Sequence, residues 1–508
     1  MSQVRGIPAV KVEADGSPLS AGEMLGLGSV RVQQELSAPS LCELAFQSPH
    51  APGGVSSLSP GTSLRVSVEG CAAPLFVGEV TALEYVYGPS GQREVRVRGM
   101  DLLHRLRKRQ TVRVHVQTSL LDLARELVAD LGLRVDGEES LAPVWRTLYQ
   151  HRQSDLALLV ETAQRCGLFM TVRDDTLHII TLDGLSDVVS LTLGESLLEA
   201  QIEVNGDPAC RDVSASGWNA QSVEAHDGEA TEARACRHVR AEAPPDLFGA
   251  SGKRFIVGEA LQDDRHAGAL AQSELDLRTA REVVFRGTAE GDPRLRPGTQ
   301  VDVAGAGIAQ EVAGRYVLAS VVHTIDDRLG FVSELSTDPP APGPRPAGAS
   351  VAFGVVTQVD DPDGLGRVKA SLPTFGEVET DWMGVLCVAA GPGKGLVALP
   401  DTGDKVLIAF SNEDPGQGVV LGGLYGKTSP PDPGVQGGAV KRYTLRTPGG
   451  SYLQFDDGSN KVRLQDQQGS YLEMSPNLVL LHSVTALEIE APGKPVTIRG
   501  QSVDFERA

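Results

Sequence analysis

The chain lacks any apolar run long enough, about 18 residues, to cross a bilayer as a helix, and its first residues, Met1-Ser-Gln-Val-Arg-Gly6, lead into no apolar secretory segment. It also lacks basic character. With 46 Lys and Arg against 66 Asp and Glu, the net charge is -20. The most basic run, Arg105-Leu-Arg-Lys-Arg109, is short and reads as a solvated turn, so nothing tracks a phosphate backbone and nucleic acid is not an expected partner. Cysteine is sparse: six residues without paired spacing, which reads as small reduced residues made in a cytoplasm rather than a disulfide framework. Aromatics make up 5%, too few for a stacking platform. Catalytic signatures are missing as well, with no phosphate loop, zinc spacing, Ser/His/Asp constellation or paired-carboxylate domain. Cys236-Arg237-His238 comes nearest to a metal pair, without further ligands beside it. No cofactor or metal is expected.

What the chain does have is a short repeat at its end. From Lys441 onward a strand recurs about every nine residues: Tyr452-Leu-Gln-Phe455, Lys461-Val-Arg-Leu464, Tyr471-Leu-Glu-Met474, Ala486-Leu-Glu-Ile489, Pro495-Val-Thr-Ile498 and Ser502-Val-Asp-Phe505. In each, the second and fourth positions are apolar, so one face is to be buried. Asp456-Asp-Gly458, Gln467-Gln-Gly469, Pro476-Asn477 and Pro492-Gly493 supply the turns. One such ribbon has too little apolar surface to offset its ordering entropy. Three chains wound about one axis would bury every inward position: Leu453, Phe455, Val462, Leu464, Leu472, Met474, Leu487, Ile489, Val496, Ile498, Val503 and Phe505. Roughly eight strands at about 4.8 Å each make a shaft of about 40 Å. A single-chain β-sandwich end is the alternative.

Two proline-rich joints divide the chain, at 338–349 and at 427–440. Before the first, residues 1–115 and 191–337 read as β modules. Between them, 116–190 reads as a small α/β insertion whose helices start at Ser119 and Ser154 and stop at Gly132 and Gly167. Residues 350–426 read as a five-stranded OB-fold, and 441–508 as the needle.

The middle segment runs Gly354-Val-Val-Thr-Gln-Val-Asp-Asp-Pro-Asp-Gly-Leu-Gly-Arg-Val-Lys369. Leu399-Pro-Asp-Thr-Gly-Asp-Lys-Val-Leu407, Asn412-Glu-Asp-Pro415 and Val420-Leu-Gly-Gly-Leu-Tyr425 follow. It resembles the OB domain of VgrG-type spikes and phage baseplate hub-spike proteins, with turn positions at Asp361, Pro362, Gly364, Gly366, Arg367, Gly403, Asp404, Pro415 and Gly422. The stretch Tyr149 to Gly167, and Val213-Ser-Ala-Ser-Gly-Trp218, are similar to the phage late-control tail-hub family. The resemblance implies a mainly β homotrimer: two tube-like β-barrel hub domains per chain, an OB collar, and an intertwined β-helical or β-prism needle. It further implies, as partners, inner-tube and tube-initiator proteins, baseplate proteins, cargo toxins and a PAAR-repeat tip, since Val503-Asp-Phe-Glu-Arg-Ala508 has no histidine to hold a tip metal. By length and by having no cargo domain after the needle, the chain is most similar to the spikes of extracellular contractile injection systems. A type VI secretion spike, a phage tail spike and a cell-wall hydrolase are the alternatives. It is expected to be made in a bacterial cytoplasm and to leave within a contractile particle.

Overall fold

The structure, a computed structural model, describes residues 8–47, 55–89, 93–235, 237–249, 251–343 and 348–506. Cys236 and four residues of the 338–349 joint lie outside them. The chain divides into two compact units, Met1–Gly423 and Leu424–Ala508.

Mainly β structure follows from period-two alternation. In Leu27–Glu35 and Leu41–Gln47, the buried side chains Val30, Val32, Cys42, Leu44 and Phe46 alternate with more exposed ones. These strands belong to one eleven-stranded sheet. One side of that sheet comes from residues before 101 and the other from 197–336, and Ser320–Asp326 joins them by pairing antiparallel with Leu27–Glu35, His323 opposite Val32 and Ile325 opposite Val30. One core centres on Leu44, Leu64 and Val97 and takes in Ile325 and Phe331 of the second half, and another centres on Phe285, Val301 and Tyr316. The two β modules thus share a sheet and, through Ile325, Phe331 and the cluster that holds both Leu36 and Ala319, part of their apolar packing.

The insertion has its helices at Leu120–Val128 and Asp155–Arg165, with Ser119 and Ser154 accepting from the amides of Asp122 and Ala157. Its extent differs from the expected 116–190. Strand Arg113–Thr118 already pairs with Trp145–Gln150 inside it, whereas Leu185–Thr192 pairs parallel with Thr299–Ala304 of the second module. Ladder partners, not composition, set both edges.

The second module is not only strands. Its longest element is the helix Asp264–Glu282, started by Asp263, whose carboxylate accepts from the His266 amide at 3.0 Å. It lies on a three-stranded sheet, and a Cβ added at Gly228 would come within 2.2 Å of the Gly268 amide nitrogen, so this approach requires glycine.

The OB domain forms a six-stranded sheet on a core of Val356, Leu372, Val406, Ile408, Phe410 and Val420. It packs directly on the hub. Tyr149 Oη accepts from the Asp381 amide (2.9 Å), Gln417 Oε1 accepts from the buried Ala220 amide (2.8 Å), and Arg152 donates to Glu413 (2.6 Å). His151 and Phe410 both pack on Phe375.

In the C-terminal unit, Arg442–Arg446, Tyr452–Asp456, Lys461–Gln465, Tyr471–Met474 and Val479–His482 make a five-stranded antiparallel meander. The expected strands at 486–489, 495–498 and 502–505 form no ladder in the single chain. Strands exist through neighbours that take their backbone hydrogen bonds, and within one chain these segments meet none. Nor is 427–440 a bare linker: Val435–Gln436 and Ala439–Val440 pair as a small hairpin.

Candidate functional site

The meander sorts its side chains by face. Register places Tyr443 opposite Phe455, Phe455 opposite Val462, Val462 opposite Met474, and Met474 opposite Val479. The next row on the same face reads Leu445, Leu453, Leu464, Leu472, Leu481. Ten apolar side chains therefore form two unbroken cross-strand rows.

The opposite face is polar and its groups are matched. Arg463 and Lys461 donate to Glu473 at 3.0 and 3.1 Å, and the Arg463 guanidinium lies over the Tyr471 ring at 3.9 Å. These two bases hold the Glu473 carboxyl below its ordinary range. Tyr452 Oη donates to Gln465 Oε1 (2.9 Å), and His482 packs on Tyr471. Asp432, in the proline-rich joint, accepts from Arg442 Nε (2.9 Å) and Nη2 (2.8 Å), Thr444 Oγ1 (3.2 Å), Gln454 Nε2 (3.0 Å) and the Gly434 amide (2.9 Å). Arg442, then the Gly434 amide, holds its carboxyl far below the usual range.

The polar face is thus knitted together while the apolar face lies open. Phe455, Leu464, Leu472, Met474, Val479 and Leu481 are all exposed. Among the described residues from 424 on, no hydrophobic side chain is buried. A soluble antiparallel sheet normally turns its apolar face inward. Here there is no inside for it to face.

Of the twelve expected inward residues, Leu453, Phe455, Val462, Leu464, Leu472 and Met474 come together on this face. Leu487, Ile489, Val496, Ile498, Val503 and Phe505 do not join it and are at least half exposed. Tyr443, Leu445, Val479 and Leu481 belong to the same rows but are missing from the sequence reading. Tyr443-Thr-Leu445 shows the alternation, whereas Val479-Leu-Leu481 is a continuous apolar run that hides its face.

The collar turns are built on one carboxylate. Asp361 accepts from Arg367 Nε (3.0 Å), Nη2 (2.6 Å) and backbone amide (3.2 Å), and from the amides of Asp363 (3.2 Å) and Leu365 (3.0 Å). Arg367, then those amides, holds the Asp361 carboxyl well below the usual range, and the Arg367 guanidinium is raised in return. Pro362 sits in the turn closed by the Gly364 amide donating to the Asp361 carbonyl at 3.0 Å. Gly364 and Gly366 take φ of 64° and 72°, which a side chain would resist. Across the barrel, the Gly403 amide donates to Val356 O (2.8 Å) and the Val356 amide to Asp404 O (2.9 Å). Pro415 is buried in the loop whose Gln417 holds Ala220, and Gly422 lies at a bulge opposite Leu407. These residues fix loops.

The groove between insertion and OB domain, about 530 Å³, is lined by Arg146, Tyr149, Lys369, Asp381 and Trp382. In it Arg146 pairs with Asp381 at 2.8 Å, and Lys369 lies over the Trp382 ring at 5.3 Å. No group of three or more metal-ligating side chains occurs among the described residues, and Cys236 lies outside them. No helix among them is long and apolar enough to cross a membrane.

Residues 352–425 match the type VI secretion system/phage-baseplate injector OB domain, and 9–327 match the Alg8 N-terminal domain. The Francisella PdpA-VgrG complex, in its half-lidded form, shares the fold with a TM-score of 0.54 at 8% identity, covering 94% of this chain and 88% of that one. An E. coli protein, c3393, matches with a TM-score of 0.51 at 13% identity, covering 82% of this chain and 99% of that one. It is described as a component of the type VI secretion system with structural similarity to the T4 bacteriophage tail proteins gp27 and gp5. No curated protein sequence matches. Matching the Alg8 N-terminal domain over more than half its length, with the injector OB domain behind it, the chain belongs to the Alg8 N-terminal domain family and shares its fold with VgrG-type proteins.

Proposed function

We propose that this chain is the non-enzymatic, homotrimeric central spike of a contractile injection system. The observation that carries the reading is the open face of the 442–482 sheet: ten aligned apolar side chains with a hydrogen-bonded polar face behind them. Burying such a face in water-excluded contact is worth about 25 cal/mol per Å², and three copies about one axis would cover it while giving 486–505 the backbone partners they lack alone. The hub fits the same symmetry. Its eleven-stranded sheet ends in the free edge strand Leu197–Val204, where pairing could continue into a neighbouring chain. A ring of three such hubs would seat on an inner tube, the OB domains would form the collar, and the needle would concentrate the contraction force on a small area of target membrane. Tube, baseplate and PAAR-repeat proteins are the proposed partners, and toxins the proposed cargo. Assembly before export and release within the particle follow from the same reading.

A mechanical rather than enzymatic role is supported by the turn at 361–367 and the groove, where Asp361 is paired with Arg367 and Asp381 with Arg146. It is supported too by the hub's antiparallel sheet, which is unlike the helix-covered parallel sheets that hold activated nucleotides and sugars. The spike of a type VI secretion system is the second reading, favoured by the VgrG likeness in fold.

Light scattering on the full chain tests the proposal. A mass three times 53.6 kDa supports it. A monomer at micromolar concentration overturns it.

A further inference from the structure

The OB domain leaves two apolar surfaces bare. One is the outer face of its own sheet. Strands Ala349–Gln358, Lys405–Ser411 and Gly418–Gly423 bury Ala352, Val356, Ile408 and Val420 on the inner side. The residues between them are apolar too: Val351 pairs with Ala409, Phe353 with Leu407, and Leu421 lies on the next strand. Val351, Phe353 and Leu421 are 64, 61 and 41% exposed. An antiparallel sheet wetted on one side alternates apolar with polar. Strands apolar on both faces are made to be covered on both.

The other surface is the hairpin of Val388–Gly391 and Lys394–Leu396. Every residue from 386 to 399 except Cys387 is exposed, and Leu386, Val388, Leu396, Val397 and Leu399 are among them. A two-stranded ribbon is marginal alone in water, so this one needs a surface to lie on.

We propose that hairpin 388–396 is an arm that seats on the outer OB face of a neighbouring copy of this chain. Each copy gives its arm to the next and receives one, a heterologous contact that closes at three. The inference rests on the trimeric reading above and names the contact that would close its collar. A copy is the fitting occupant for two reasons. Each chain carries one arm and one face, so a closed ring leaves neither unpartnered. And copies that each bear a net charge of -20 repel through charged surfaces, whereas these two surfaces are poor in charge. Lys394, at the hairpin turn, and Lys405, at the start of its strand, are the charges on them.

The test is cross-linking of the full-length protein carrying Leu396→Cys and Phe353→Cys, with Cys71→Ser, Cys236→Ser and Cys387→Ser, which leaves only the buried Cys42, Cys166 and Cys210 of the native thiols. A short flexible bismaleimide should give covalent dimers and trimers on a denaturing gel, and either single variant should lose those bands. Thiols consumed without a gain in mass would mean that the arm covers its own barrel. Thiols left unlinked in a particle that scatters as a trimer would mean that something else covers the face. Either result overturns the arm and leaves the trimer standing. In the unaltered protein, trypsin should spare the bond after Lys394, and prompt cleavage there in a confirmed trimer also overturns it. A wild-type monomer refutes the trimeric reading, and the arm with it.

Discussion

Leu464 stands directly opposite Leu453 on one side and Leu472 on the other, in a row of five leucines, yet it is 55% exposed. A substitution there should be tolerated within one chain and fail only on assembly. Leu464→Asp is expected to leave the hub folded, with circular dichroism unchanged, and to reduce the scattering mass to 53.6 kDa. The cause is three carboxylates brought to a dry axis, each costing several kcal/mol without a partner. A stable Leu464→Asp trimer would show that this row does not face the axis.

Half of the C-terminal repeat is legible in the sequence, for a physical reason. Tyr452 to Met474 holds strict alternation with Gly-rich turns, so strands, face and register all follow from period two. Residues 486–505 hold the same alternation, but pairing needs a partner backbone that one chain does not offer. The helix Asp264–Glu282 is illegible for the opposite reason. Its buried side chains are the small Ala267 and Ala271, Leu270 and Leu275, and the charged Asp276 and Glu282, so no broad apolar stripe marks it. The helices at 120–128 and 155–165 announce themselves by serine caps and leucine stripes. Asp432 could not be read as an anchor because its partners Arg442, Thr444 and Gln454 are brought together only by the ladder.

The joint between hub and collar separates buried from exposed polar contacts. Gln417, 2% exposed, holds the Ala220 amide, whereas Arg152 and Glu413 have side chains 59 and 42% exposed. Gln417→Ala leaves a buried amide unsatisfied and is expected to cost about 1–3 kcal/mol. Arg152→Ala breaks a solvated pair worth at most about 1 kcal/mol, together with its contact over Phe375. Urea unfolding of the two variants checks the order, and a larger loss for Arg152→Ala would mean that the ion pair carries the joint.

His323 sets an acid limit on the hub. It is fully enclosed, with Nδ1 2.8 Å from Ser333 Oγ and Nε2 3.0 Å from the Leu295 carbonyl. Burial lowers its pKa from 6.5 to about 4, with Arg296 adding to the effect. The folded state therefore holds the neutral ring where the unfolded chain takes up a proton. Stability should be undiminished above pH 6.5 and fall as pH drops from there through about 4. This one group accounts for at most on the order of 3 kcal/mol. Urea midpoints at successive pH values, compared with those of His323→Gln, measure it. An equal slope in both proteins would place the acid sensitivity elsewhere.

Asp361 provides the last prediction, because one carboxylate holds the whole turn from Asp361 to Arg367. Asp361→Asn keeps the shape but removes the charge that gathers the guanidinium and three amides, and Asn can turn only one oxygen toward them. The Arg367 side chain is 7% exposed, so its cation would be left in a poor environment with Asp363 as the remaining anion. Losing charged hydrogen bonds of this kind costs about 1.5–3 kcal/mol. Because the Asp361 carboxyl is held below its ordinary range, its contribution is complete at neutral pH and disappears only as pH falls through that lowered value. The wild-type advantage over Asp361→Asn in urea should accordingly be constant from pH 8 to pH 5. An advantage that shrinks within that interval would mean that another group titrates against Arg367.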